Sequence, residues 1–163
     1  MLTLGIDPGT AIIGYGLVRE REDGSLEAVA YDVIRTAAGQ PLAERLQVIY
    51  SEVQRIVREY QPDRLAIEEM FYRQNLTTAI TVAQGRGVIL LALAQSGIPI
   101  AEYKPNFIKQ SVSGYGGAKK PQMQEMIRIL LGLDHIPRPD DAADALAIAI
   151  TDLHSQRFSG LDG

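Results

Sequence analysis

The chain has 163 residues, 46% of them apolar and 22% charged, with no cysteine and a formal net charge of −4. That length fits one compact domain with a sizeable core, and the missing thiols exclude disulfides and thiolate metal sites. The acidic balance weighs against a uniformly basic nucleic-acid binder and turns attention to how charge is distributed. The N-terminus lacks the basic residues, long apolar run and cleavage site of a signal peptide. The longest unbroken apolar stretch, Val88 to Ala94, is too short to cross a bilayer. A cytoplasmic protein with no membrane partner is expected.

Leu2 to Asp7 reads as a short buried strand ending in the turn Asp7-Pro8-Gly9-Thr10. Ile12 to Arg19 and Leu26 to Arg35 follow through short connections, which predicts an antiparallel meander. From Pro41 to Tyr60, Leu42, Leu46, Ile49, Val53, Ile56 and Val57 recur at helical spacing, and Gln61-Pro62-Asp63 ends the run. Arg64 to Glu68 is a fourth strand, and Asn75 to Gln95 a long apolar helix containing Gly85 and Gly87. Pro99 to Tyr103 is a fifth strand. Helices over Pro105–Val112, Pro121–Leu131 and Asp140–Gln156 follow, the first two separated by the glycine-rich loop Ser113–Ala118. A single domain over residues 1–156 is expected, with 157–163 a flexible tail. Three meandering strands, then alternating helices and strands, make an α/β domain whose order matches the ribonuclease H-like fold. A five-stranded mixed sheet with helices on both faces is expected.

The acidic residues carry the chemistry. Asp7 closes the first strand and Glu68 the fourth. Asp141 and Asp144 lie in the first turn of the last helix, three residues apart and so on one face. If the first and fourth strands are neighbours, four carboxylates converge at one edge of the sheet. Such a cluster repels itself unless cations neutralise it, and hard oxygen ligands suit Mg²⁺ or Mn²⁺. Two such ions about 3.5–4 Å apart can drive phosphodiester hydrolysis. Each acid taken singly also has an ordinary use. Asp7 fits a Pro-Gly turn, Asp140, Asp141 and Asp144 fit a helix cap, and Glu68 and Glu69 fit a solvated strand end. Strand alternation sends Glu68 and Glu69 to opposite sides, and Glu68 is preferred.

All four lysines, Lys104, Lys109, Lys119 and Lys120, fall between Tyr103 and Arg128, against one acid, Glu125. A local positive field in an acidic chain suggests a phosphate-binding face, and a solvated loop is the alternative. Phe71, Tyr72 and Arg73 follow the acidic strand end, where an exposed aromatic can stack on an unpaired base; a core phenylalanine under a loop is the alternative for Phe71. Arg73 and Arg86 fit either phosphate contacts or plain surface arginines. His135 and His154 fall outside these groups and are read as incidental.

Leu4-Gly5-Ile6-Asp7-Pro8-Gly9-Thr10 with Gly14-Tyr15-Gly16 resembles the opening of the RuvC family of Holliday junction resolvases. Ala66-Ile67-Glu68 with Phe71 resembles the second motif of that family, and Asp141 through Ala149 the third. Gln84 to Val88, and Lys109-Gln110 followed by Gly114 and Gly116, also match, so the resemblance spans about residues 2 to 152. It implies a ribonuclease H-like homodimer that makes paired nicks across a four-way DNA junction, with two Mg²⁺ or Mn²⁺ ions per active site. It places the family's catalytic acids on Asp7, Glu68, Asp141 and Asp144. Its basic active-site residues fall on Lys109 and Lys120, with Lys119 an uncertain extra, and its junction-centre aromatic on Phe71. It also implies cooperation with a RuvA–RuvB branch-migration complex. Tyr72, Arg73, Arg86 and Lys104 join the expected DNA-binding set on position and charge.

Three other functions fit parts of the pattern. An actin-like ATPase or sugar kinase also uses Asp-x-Gly after its first strand, but needs two such domains. Another ribonuclease H-like nuclease would act on RNA. A pure junction-binding module would gain nothing from repelling carboxylates. For the dimer, the long apolar helix Asn75 to Gln95 is the candidate interface, with Gly85 and Gly87 permitting close approach; packing of that face wholly against its own sheet is the alternative.

Overall fold

The computed structural model describes residues 1–70 and 75–159. The five expected strands form one sheet: β1 (Leu2–Asp7), β2 (Ile12–Glu20), β3 (Leu26–Arg35), β4 (Arg64–Glu68) and β5 (Ile100–Tyr103). Their order is β3-β2-β1-β4-β5. β1, β2 and β3 form the antiparallel meander, while β4 runs parallel to β1 and β5 parallel to β4. The helices are α1 (Leu42–Tyr60), α2 (Leu76–Ala94), α3 (Pro105–Ser113), α4 (Lys120–Leu130) and α5 (Asp140–Ser159).

Alternation along β1 separates two cores. Leu2, Leu4 and Ile6 join Ile13, Leu17, Leu65 and Ile67 beneath α1 and α2. The opposite face is built on smaller residues. There Gly5 pairs with Gly16 on β2 and with Ala66 on β4, and Asp7 pairs with Gly14. This face receives α5, flanked by α3 and α4. Helices therefore cover both faces, as expected.

α5 lies on bare backbone. A Cβ built on Gly5 would sit 2.2 Å from the Ala145 carbonyl oxygen, and one on Gly14 would sit 1.9 Å from that of Asp141. On Gly16 it would meet Leu146 at 2.9 Å. The alanines at 142, 145 and 149 on the helix are fully buried. Their small side chains, facing glycines, bring the helix axis close to the sheet.

Further along, α5 is tied to the sheet by polar contacts. Asp152 is fully buried and accepts from Arg64 Nε at 2.8 Å and Nη2 at 3.0 Å. It also accepts from Tyr103 Oη at 2.7 Å and Thr3 Oγ1 at 3.2 Å. A buried carboxylate needs such complete pairing, and here one side chain links β1, β4, β5 and α5. Burial, together with the bond to Asp152, pushes the Tyr103 hydroxyl up to about 12.

The end of α5 differs from expectation. The helix runs to Ser159, three residues beyond Gln156, so 157–159 are helical and not tail. Arg157 is held by the Glu20 carboxylate and the Gly24 carbonyl, which gives the last turn a tertiary anchor. α2 is long and apolar enough to cross a membrane by length and composition alone. It lies beside α1, with Gly85, Ile89, Ala92 and Leu93 buried in the core.

The glycine contact gives a direct test. Gly14→Ala should lower stability by about 1–3 kcal/mol or more, the range for overpacking a rigid site. Gly39, with nothing within 4 Å of its Cβ position, should tolerate alanine to within about 0.5 kcal/mol. Urea unfolding of both variants measures the contrast, and equal losses would mean that α5 is not seated on the sheet as described.

Candidate active site

The parallel pairing of β1 with β4 sets Ile6 beside Ile67, so Asp7 and Glu68 leave adjacent strands at the same level. Alternation sends both toward α5. The close approach at Gly14 brings the first turn of that helix over the ends of β1 and β2. Asp7, Asp141 and Asp144 then each offer a carboxylate oxygen within 4.8 Å of the others. Glu68 stands outside that tight trio, but its charge acts on Asp7, and the charge of Asp144 acts on it.

This convergence is electrostatically unfavourable alone. The Asp7 carboxyl is pushed up to about 8, first by burial and then by the charges of Asp144, Glu68 and Asp141. Burial also raises Glu68 and Asp144 above the usual carboxylate range. Two lysines act the other way: Lys109 lowers Glu68, and Lys120 lowers Asp7 and Asp144. A set of hard oxygen donors that resists carrying its own charge fits divalent cations such as Mg²⁺ or Mn²⁺.

A cleft of about 560 Å³ opens beside the cluster. Glu68 and Asp144 form one part of its wall, and Lys109, Lys119 and Lys120 another. Lys109 comes from α3, Lys119 caps α4 and Lys120 begins it. The fold thus gathers acids and lysines far apart in sequence into one concavity. Lys120 is bound to Asp140 at 3.0 Å and its charge reaches Asp7, Asp141 and Asp144, so of the lysine pair it is the one turned to the acids.

Other expected site residues lie elsewhere. Lys104 is exposed at the start of α3. Arg86 does not project freely: its guanidinium bonds Glu102 at 2.7 Å, and Nε reaches the Glu68 carbonyl at 3.4 Å. Phe71, Tyr72 and Arg73 lie outside the described residues. His154 is half-buried against Ser111, apart from the acids. Asp152 and the Asp140 contacts escaped the sequence reading, because neither belongs to a local motif.

A ribonuclease H-like sheet with carboxylates converging at the ends of two parallel strands and a covering helix defines a metal-dependent nuclease. Residues 3–152 match the family model described as crossover junction endodeoxyribonuclease RuvC. A crossover junction endodeoxyribonuclease RuvC of Chloroflexus aggregans is 56% identical over 162 residues, covering 97% of this chain and 98% of its own length. The structure of Thermus thermophilus RuvC superposes with a TM-score of 0.91 at 34% identity, covering 98% of this chain and 97% of its own. T. thermophilus RuvC in complex with Holliday junction substrate gives 0.88 at 31% identity, with 97% and 96% covered. The chain belongs to the RuvC family of crossover junction endodeoxyribonucleases.

The raised acids have a signed consequence for stability. Without metal, Asp7 holds its proton more tightly folded than unfolded. Its contribution is full below its unfolded value of 3.8 and is lost as pH rises through about 8. In chelator, melting temperature should therefore fall between about pH 5.5 and 8. Asp7→Asn should flatten that fall. Mn²⁺ should raise the wild-type melting temperature at the upper pH and raise that of the variant far less. A wild-type melting temperature that climbs with pH in chelator would contradict this electrostatic picture.

Proposed function

We propose that this chain resolves four-way DNA junctions by paired, symmetric nicks, in recombination and repair. The observation that carries this reading is the trio of acid oxygens within 4.8 Å, beside a cleft walled by lysines. Asp7, Glu68, Asp141 and Asp144 would hold two Mg²⁺ or Mn²⁺ ions, which when bound activate water and stabilise the leaving oxygen. Lys109 and Lys120 contact the scissile phosphate and stabilise charge developing on its oxygens. Lys119 and Lys104 contact flanking phosphates, a role that adds affinity but not sequence preference. Arg73 and Arg86 join them in backbone contact, Arg86 by leaving Glu102. Phe71 is assigned to the junction centre by family resemblance, with Tyr72 beside it. Cooperation with a RuvA–RuvB branch-migration complex is carried over on the same ground, as is a cytoplasmic location.

The test is cleavage of a synthetic four-way junction, compared with duplex and RNA–DNA hybrid, in Mg²⁺, Mn²⁺ or chelator. Asn at Asp7, Asp141 or Asp144, or Gln at Glu68, should abolish cleavage while junction binding persists or tightens. Lys109→Ala and Lys120→Ala should each slow cleavage and lower the salt slope of binding by about one unit. Asp141→Asn cutting at the wild-type rate would remove that acid from the set. Preferential cleavage of the hybrid would favour an RNA-directed relative.

Two nicks need two sites, and the described residues of one chain hold one such cluster. The homodimer is supported by α2. Leu76, Ile80, Ala83, Gly87, Leu91 and Ala94 are all exposed at helical spacing and form one stripe. Of these, Leu76, Ile80 and Leu91 are more than half exposed, large apolar side chains in need of cover. Gly85 is not part of that surface as expected: it faces inward, where a Cβ would sit 2.5 Å from the Gly9 carbonyl oxygen. Gly87 has open space and remains on the stripe. A two-fold dimer through α2 would match the symmetry of the junction. Sedimentation equilibrium should show a dimer at micromolar protein, and Ile80→Asp should shift it to monomer. Mixed dimers with one Asp7→Asn subunit should nick one strand only. A wild-type protein that stays monomeric with and without junction would rule the dimer out.

A further inference from the structure

We infer that Asp140 is a positioning residue for cleavage: it holds the Lys120 ammonium beside the acid cluster and does not itself bind metal. This rests on the reading above that Lys120 contacts the scissile phosphate. Asp140 opens α5 and Lys120 opens α4, so the first turns of two helices meet through this pair. The Asp140 Oδ2 takes Lys120 Nζ at 3.0 Å. The other oxygen takes Gln124 Nε2 at 3.3 Å and the Arg138 guanidinium. Both carboxylate oxygens are therefore engaged by donors of the chain itself, and Asp140 is not in the trio whose oxygens converge.

Gln124 makes this more than a chance surface pair. It is only 8% exposed, one turn along α4 from Lys120, and its buried amide donates to Asp140. One carboxylate thus grips two successive turns of α4 on the same face. Lys120 needs that grip. Its stem is flexible, and its side chain is 53% exposed, so without a partner it would sample many rotamers. An ammonium has three donors. One serves Asp140, and two remain for phosphate oxygens. Asp141, next in the chain, is left to the cluster.

The test is single-turnover cleavage of a four-way junction with enzyme in excess, which keeps slow variants measurable. Asp140→Asn retains an acceptor for Gln124 and removes the charge that holds Lys120. It should slow cleavage by about fivefold, the scale set by an exposed ion pair. Junction binding in chelator should not weaken, and Asp140→Glu should recover part of the rate. In a Lys120→Ala background, Asp140→Asn should change the rate by less than about twofold, because its effect runs through the missing lysine. Three results overturn the inference: a wild-type rate for Asp140→Asn, the same loss with and without Lys120, or abolition as complete as for Asp141→Asn. Lys120→Ala cutting at the wild-type rate would fail the reading of Lys120 itself. A slow Lys120→Ala with an unaffected Asp140→Asn would fail this inference alone.

Discussion

The contact on which the rest of the structure depends is backbone against backbone, where α5 rests on Gly5, Gly14 and Gly16. The spacings of 1.9–2.9 Å calculated for a Cβ at these glycines leave no room for any side chain there. Interiors are close-packed and resist such insertion. A helix held one methyl group further out would carry Asp141 and Asp144 away from Asp7. The depth of the helix on the sheet is thus also the geometry of the acid cluster. Glycine and alanine here serve approach, and their weak intrinsic support for strand structure is offset by the long leucine, isoleucine and valine packing on the other face.

Close approach has an electrostatic cost. Burial and mutual repulsion push Asp7 up to about 8 and raise Glu68 and Asp144 with it. Apolar packing holds these groups together against that repulsion. Most of α5 is buried, and Asp152 secures it further along through Arg64, Tyr103 and Thr3. The Asp152 carboxylate is therefore paired on both oxygens within the protein, while Asp141 and Asp144 face the like charge of Asp7. That difference separates a structural acid from a site for cations. Lys109 of α3 and Lys120 of α4 lower the repulsion from the side.

Much of this was readable in order along the chain. Helical spacing marked α1, short apolar runs marked the five strands, and acids at strand ends marked the chemistry, because each of these signals is local. The element order and the motifs around Asp7, Glu68 and Asp141–Asp144 were sufficient to set fold and family. Boundaries held to within a residue or two except at the end of α5. There Arg157 is fixed by Glu20 and Gly24, residues on the far side of the chain.

What only tertiary structure decided were relations between distant residues. The two glycines of α2 look alike in sequence, yet Gly85 meets Gly9 and Gly87 meets open space. Asp140, Asp141 and Asp152 are similar acids on one helix, and their separate uses follow from Lys120, Asp7 and Arg64, none of which is near them in the chain. The sequence by itself determined which residue types stand at strand ends and helix starts. Which of them share a dielectric, a partner or a cation is set by packing across the sheet, because Coulomb and hydrogen-bond energies depend on distance in space and on burial, and neither is a property of position along the chain.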